Sequence, residues 1–113
     1  VREIKFRVWA DDMAFICPSD SFSLVLHDTG PRIQMWCSDG LADEFPAEII
    51  EQYTGLKDKN GVEIYEGDIV DVPYNSLGAH HVEFKDGRFT CIGYDLRRCT
   101  VIGNIHENPE LLK

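Results

Sequence analysis

The chain has 113 residues, 43% of them hydrophobic, with 11 lysines and arginines against 20 aspartates and glutamates and a formal net charge of -9. A chain of this length buries roughly two-thirds of its unfolded surface, which supports one core without a structural metal or a disulfide framework. These figures argue against two independent domains, against an acidic disordered tail, and against a protein that grips duplex phosphates on a cationic face.

Taken in chain order, Ile4-Lys5-Phe6-Arg7-Val8-Trp9 alternates apolar and charged residues and predicts a strand with Ile4, Phe6 and Val8 on one face. Asp11-Asp12 supplies turn chemistry, and Met13 to Cys17 returns as the second strand of a hairpin, stopped at Pro18. Ser21 to His27 reads as a third strand ended by Asp28-Thr29-Gly30-Pro31, and Arg32 to Cys37 as a fourth closed by Ser38-Asp39-Gly40. The first 40 residues therefore read as a β-meander. From Glu44 to Tyr53 two readings stand. Phe45, Ile49, Ile50 and Tyr53 fit one face of a short helix with Pro46 near its start, and the same run also suits an extended strand.

Asn60-Gly61 is the clearest local signal, because a two-residue type I′ loop needs positive φ at both central positions. That loop would set Leu56 against Tyr65 and Lys57 against Ile64. Gly67, between Glu66 and Asp68, marks a turn or bulge before a strand from Ile69 to Val72 that Pro73 ends. Past the loop at 75–78, His80 to Phe84 and Phe89 to Ile92 form a second hairpin about Asp86-Gly87. Gly93 to Arg98 is a loop and Cys99 to Ile105 the last strand. Asn108 as a cap, Pro109 at a first helical position and Glu110 in the first turn predict a short C-terminal helix or turn over an open end of the sheet.

Many short strands joined by Gly, Asn and Asp turns predict a mainly β protein. We draw a small Src-homology-3-like β-barrel from Ile64 to Ile105, an appended N-terminal β-meander from Arg2 to Cys37, and one or two short helices; α+β is the alternative. The whole chain, 1–113, is expected to be one domain, with a meander subregion at 1–43 and a barrel-like subregion at 44–113. No apolar run approaches the roughly 18 residues needed to cross a bilayer, and no signal segment opens the chain, so a soluble, cytoplasmic protein is expected. Val1 in place of an initiator Met implies processing or trimming.

Candidate chemistry is sparse. The spacing of Cys17, Cys37, Cys91 and Cys99 matches no zinc ribbon or finger. Cys91 and Cys99 would lie opposite each other if their loop is symmetric, although reduced thiols suit a cytosolic chain better than a disulfide. His81 and Glu83 would point the same way, about 7 Å apart along a strand. With His80, and with His106 or His27 joining, they could bridge a divalent metal; solvent-side polar positions are the simpler account. Glu63, Glu66, Asp68 and Asp71 are dense in carboxylates but lack the calcium-loop spacing, and turn geometry explains them better. Gly55, Gly61 and Gly67 sit at hairpin positions and form no phosphate-binding fingerprint. Of Trp9, Trp36, Tyr53, Tyr65, Tyr74 and Tyr94, core packing claims several. Tyr74 and Tyr94, in predicted loops, with the Arg97-Arg98 pair, are the candidate interaction surface. No catalytic residue, metal or cofactor is assigned.

Several strings are long enough to be specific: Lys5-Phe6-Arg7-Val8-Trp9, Gln52 through Gly61, Glu63 through Val70, Val82 through Gly87, and Val101 through Leu111. They resemble the YopX family, small proteins encoded by bacteriophages and prophages. The resemblance runs over nearly the whole chain, with no family string between about Ser19 and Asp43. It implies phage origin, expression in a bacterial cytoplasm and homo-oligomerisation. It carries over no catalytic residues, the family being one without an assigned biochemical function. The expectation is a non-enzymatic accessory protein that works by protein contacts or self-assembly. The alternatives are a single-stranded nucleic-acid-binding small barrel and a small metal-dependent enzyme.

Overall fold

The computed structural model describes residues 3–74, 78–85, 87–90 and 95–112. The fold is mainly β, as expected. It divides into two compact units, one from Ile4 to Gln52 and the other taking Glu3 and the chain from Tyr53 onward.

In the first unit, β1 (Phe6–Ala10) and β2 (Met13–Cys17) form the predicted hairpin with Val8 opposite Phe15. Asp11 and Asp12 have φ of 50° and 63°, which makes the two-residue loop a type I′ turn. Its twist matches that of the flanking strands. Ile4 does not share the face of Phe6 and Val8: pairing stops where Phe6 meets Cys17, just before Pro18 ends the partner strand, and Ile4 is left 65% exposed.

β3 (Phe22–His27), β4 (Gly30–Cys37) and β5 (Gly40–Pro46) form an antiparallel meander in that order. The β1–β2 hairpin lies outside it, because β1 takes the start of β6 (Ile49–Lys57) as its other neighbour, with Val8 opposite Ile50. Glu44 to Tyr53 is thus extended and contains no helix. Phe45 pairs with Ile33, and Glu51 with Arg7, so ladder bonds on neighbouring strands outweigh a helical face only two turns long. Val8, Ala10, Cys17 and Ile33 are the buried core, with Phe15 packed on Phe22 at 4.8 Å and on Phe45 at 5.2 Å.

In the second unit, β7 (Glu63–Tyr65) pairs with the end of β6. β8 (Asp68–Val72) carries β9 (Gly78–His81) on one side and the last strand, β12 (Thr100–Asn104), on the other. β10 (Glu83–Lys85) and β11 (Arg88–Thr90) form a hairpin with Lys85 opposite Arg88, but the strand expected from His80 to Phe84 is broken at Val82, whose N–H donates to the Asp68 carbonyl, and His80 and His81 pair with β8 instead. A 3-10 turn, η1 (Leu96–Arg98), immediately precedes β12. First strand flanked by second and last, with a 3-10 turn before the last, is the arrangement of a curled Src-homology-3-like half-barrel. Ile64, Val70, Val72, Val82, Leu96 and Cys99 fill its core.

Two local expectations are corrected. Asn60-Gly61 is not a two-residue I′ loop: only Gly61 has positive φ, at 83°, and Lys57 pairs with Glu63, one residue short of the expected Ile64. Likewise Tyr65 faces Tyr53 and not Leu56, because the register shifts between Tyr53 and Lys57, where Gly55 has φ of 85° and Thr54 Oγ1 donates to the Ile64 carbonyl at 2.7 Å. The cause is Asp58. Its Oδ1 accepts the Asn60 and Val62 N–H groups at 2.8 and 2.9 Å, and the Gly61 N–H donates to its carbonyl, so the loop closes around this side chain.

At the end of the chain Pro109–Leu112 is a 3-10 turn, η2, which lies against β9. Asn108 does not cap it with its side chain. The Leu111 N–H donates to the Asn108 carbonyl, and Asn108 Oδ1 accepts instead from the Asn104 N–H at 3.2 Å, closing the end of β12. Among the described residues no helix is long and apolar enough to cross a membrane.

Candidate interaction surface

Tyr74 follows Pro73 at the end of β8 and is 56% exposed. Arg97 and Arg98 lie together on η1, both exposed. Arg97 is tied down: its Nε and Nη2 each donate to the Asp95 carboxylate at 3.1 Å, and Asp95 Oδ1 also accepts the Arg97 N–H as the cap of the turn. The Arg97 side-chain and backbone donors hold the Asp95 carboxyl below its usual range, and the same contact pushes the guanidinium further up. Of this pair, Arg97 is an electrostatic part of the fold. Tyr94 and Cys91 lie outside the described residues, so neither the fourth member of the predicted surface nor the Cys91–Cys99 pairing is placed.

The other sequence candidates resolve into structure. His81 Nε2 lies 3.7 Å from Glu83 Oε2, an exposed pair, while His27 lies 3.4 Å from Glu44 on a different strand pair. Among the described residues no three His, Cys, Asp or Glu side chains are placed to hold a metal. In the carboxylate-dense stretch, Asp68 is buried and its Oδ2 accepts the Tyr65 N–H at 2.8 Å across the turn at Gly67, which has φ of 87°. That carboxylate makes a turn.

Sequence reading missed two buried carboxylates. Asp58 is nearly inaccessible and joins its own loop to the last strand, because Oδ2 accepts the Val101 N–H at 2.9 Å. Burial pushes its carboxyl up, but the N–H donors of Val101, Val62 and Asn60, with Lys59 nearby, outweigh burial and hold it below the usual carboxylate range. The available signal was an Asp two residues before Asn-Gly, the spacing of an Asx-turn. Glu51 is buried on β6, where Oε1 accepts from Arg7 Nε and from Trp9 Nε1, both at 2.8 Å. The register of β1 on β6 brings those three together, which no single stretch of sequence displays.

The first unit also exposes large apolar side chains. Met13 is 60% exposed and Leu26 79%, and Ile16, Trp36, Leu41 and Ile49 are also exposed on its strands. Trp36 pairs across strands with Leu41, and its indole N–H donates to Ser23 Oγ at 3.1 Å, which holds the ring in place on the open face. On the same face Glu44 accepts from Gln34 at 2.9 Å and from Arg32 at 2.7 Å. The Gln34 bond, opposed by partial burial and aided by Arg32 and His27, lowers the Glu44 carboxyl below its ordinary value. A fixed indole thus stands beside a charge network on one face of the meander.

Comparison with known proteins places this geometry. A family model described as YopX protein matches residues 5–113. Among solved structures, the crystal structure of protein EF1440 from Enterococcus faecalis is similar, at 31% identity and a TM-score of 0.60, over 100% of both chains. The X-ray structure of protein yopX from Bacillus subtilis is similar at 22% identity and a TM-score of 0.65, over 96% of this chain and 98% of that one. No curated protein matches.

Proposed function

The chain belongs to the YopX family, and from that premise we propose that it is a non-enzymatic accessory protein of a phage or prophage. In this reading it acts in the bacterial cytoplasm through protein contacts, self-association included. The observation that carries it is the exposure of large apolar side chains on strands of the first unit, Met13, Ile16, Leu26, Trp36, Leu41 and Ile49, of which Trp36 and Leu41 are cross-strand partners. Exposed apolar area on ordered strands costs solubility, and proteins keep it where another macromolecule covers it. The conspicuous carboxylates support the same reading, because Asp58, Asp68 and Asp95 are occupied with backbone N–H groups.

The test combines affinity capture from a bacterial host with light scattering on the purified protein. A mass above that of the monomer, or a reproducible captured partner lost when Trp36 and Leu41 are both replaced by Ser, is the expected result. A strict monomer that captures nothing overturns the proposal. The exposed Tyr74 favours a second reading, single-stranded nucleic-acid binding through stacking. A labelled oligonucleotide that shifts at low salt and loses the shift with Tyr74→Ala would establish it.

A further inference from the structure

Edge strands expose unpaired peptide groups, and proteins normally blunt them with charge, proline, bulges or a covering segment. Several edges here are blunted. β5 carries Asp43, Glu44 and Pro46, and β12 has a register shift between Val101 and Gly103. The start of β3 is closed by Ser19, whose N–H donates to the Phe22 carbonyl and whose Oγ accepts the Phe22 N–H.

β2 has no charge, proline or bulge along its length, and β3 touches it only through packing, with Phe15 on Phe22, and not through a ladder. Met13-Ala14-Phe15-Ile16-Cys17 contains no charge and no proline, and β2 is the terminal strand of its sheet. The type I′ turn makes Ala10 and Met13 the closing hydrogen-bonded pair, so Met13, Phe15 and Cys17 bond to β1 by alternation. The peptide groups of Ala14 and Ile16 therefore point outward, both residues are exposed, and no described segment supplies them a partner.

Charge decides what fits there. Exposed Asp11 and Asp12 stand at one end of β2, and exposed Asp20 stands just beyond the other. A second copy laid antiparallel on this edge would bring the Asp11 and Asp12 end of one chain towards Asp20 of the other, on molecules that each carry -9. Like charges at both ends oppose that pairing. An extended segment with alternating apolar residues and Lys or Arg at its flanks meets the apolar middle and the acidic ends together.

We propose that the outer edge of β2 adds such a basic-flanked peptide as a further strand, with main-chain bonds at Ala14 and Ile16 giving affinity and the flanking aspartates giving selectivity. This deepens the protein-contact reading above and rests on it. The probe is a synthetic fluorescent peptide of alternating Val and Thr between paired lysines, followed by anisotropy, with a glutamate-flanked peptide as its counterpart. Binding of the lysine-flanked peptide alone is expected, weakening as salt rises.

Ala14→Pro removes an outward N–H without touching the β1 ladder and should weaken binding by roughly tenfold. Ile16→Lys, which leaves the backbone unchanged, should weaken it as well, so a fold lost to the proline does not shield the proposal. Replacing Asp11, Asp12 and Asp20 together by Asn keeps the turn chemistry and should remove the salt dependence. No binding of the lysine peptide, equal binding of the glutamate peptide, or binding unaffected by both edge variants overturns the proposal. So does a wild-type dimer that Ile16→Lys dissociates, because the occupant is then a second copy. Host partners still captured by Ile16→Lys would leave the protein-contact reading standing and refute only this edge.

Discussion

Replacing Asp58 by Asn changes one oxygen for an amide and tests what holds the second unit together. The native carboxylate accepts three backbone N–H groups, from Asn60, Val62 and Val101 at 2.8 to 2.9 Å. An Asn can keep the two turn bonds through its carbonyl oxygen, but its NH2 then faces the Val101 N–H, donor against donor, in a buried position. Losing one charge-assisted bond and stranding a donor costs about 2 kcal/mol, and Asp58→Ala, which loses all three with two of them near solvent, about 4 kcal/mol. With a urea slope of about 1 to 2 kcal/mol/M for a chain this size, the Asn midpoint should fall by about 1 to 2 M by circular dichroism.

The pH dependence has a definite sign. An unfolded Asp titrates near 3.8 and the folded Asp58 lies below that, so its stabilisation is complete above about pH 5 and is lost as pH falls through the folded value. The gap between wild type and the Asn variant should therefore close in acid. A midpoint for Asp58→Asn equal to that of wild type at neutral pH would refute the assignment of this carboxylate as the clamp between its loop and β12.

Gly103 has a steric reason to be glycine, since a Cβ there would lie 2.5 Å from Asn108 Oδ1. Gly103→Ala should cost about 1 to 3 kcal/mol in urea melts and should cost less when Asn108→Ala is already present, a non-additivity that a double-mutant cycle measures. Glu51→Gln removes the buried charge that Arg7 and Trp9 share and should destabilise by about 3 kcal/mol, with a change in tryptophan emission reporting the site. Burial pushes the Cys17 thiol up, and burial followed by the charges of Asp95 and Asp71 does the same to Cys99. In a timed alkylation read by peptide mass, exposed Cys37 should react well before either.

Local turn chemistry and period-two alternation were legible in the residues themselves. Asp11-Asp12 and Gly67 act within a few bonds of the chain, and the strands on either side of Asp11-Asp12 appear where alternation places them. Three features were decided only by tertiary structure, each for the same reason. Glu44 to Tyr53 has apolar residues that satisfy a helix and a strand equally, and the ladders with β1 and β4 choose the strand. The Asn60-Gly61 loop closes locally on Asp58, but the second oxygen of that carboxylate finds its partner, the Val101 N–H, only when β12 arrives beside it. Arg7, Trp9 and Glu51 are ordinary alternating positions until the pairing of β1 with β6 superposes them. A side chain's intrinsic backbone preference is encoded next to it in the chain, whereas a buried carboxylate or an open sheet edge is defined by which distant strands arrive beside it and which do not.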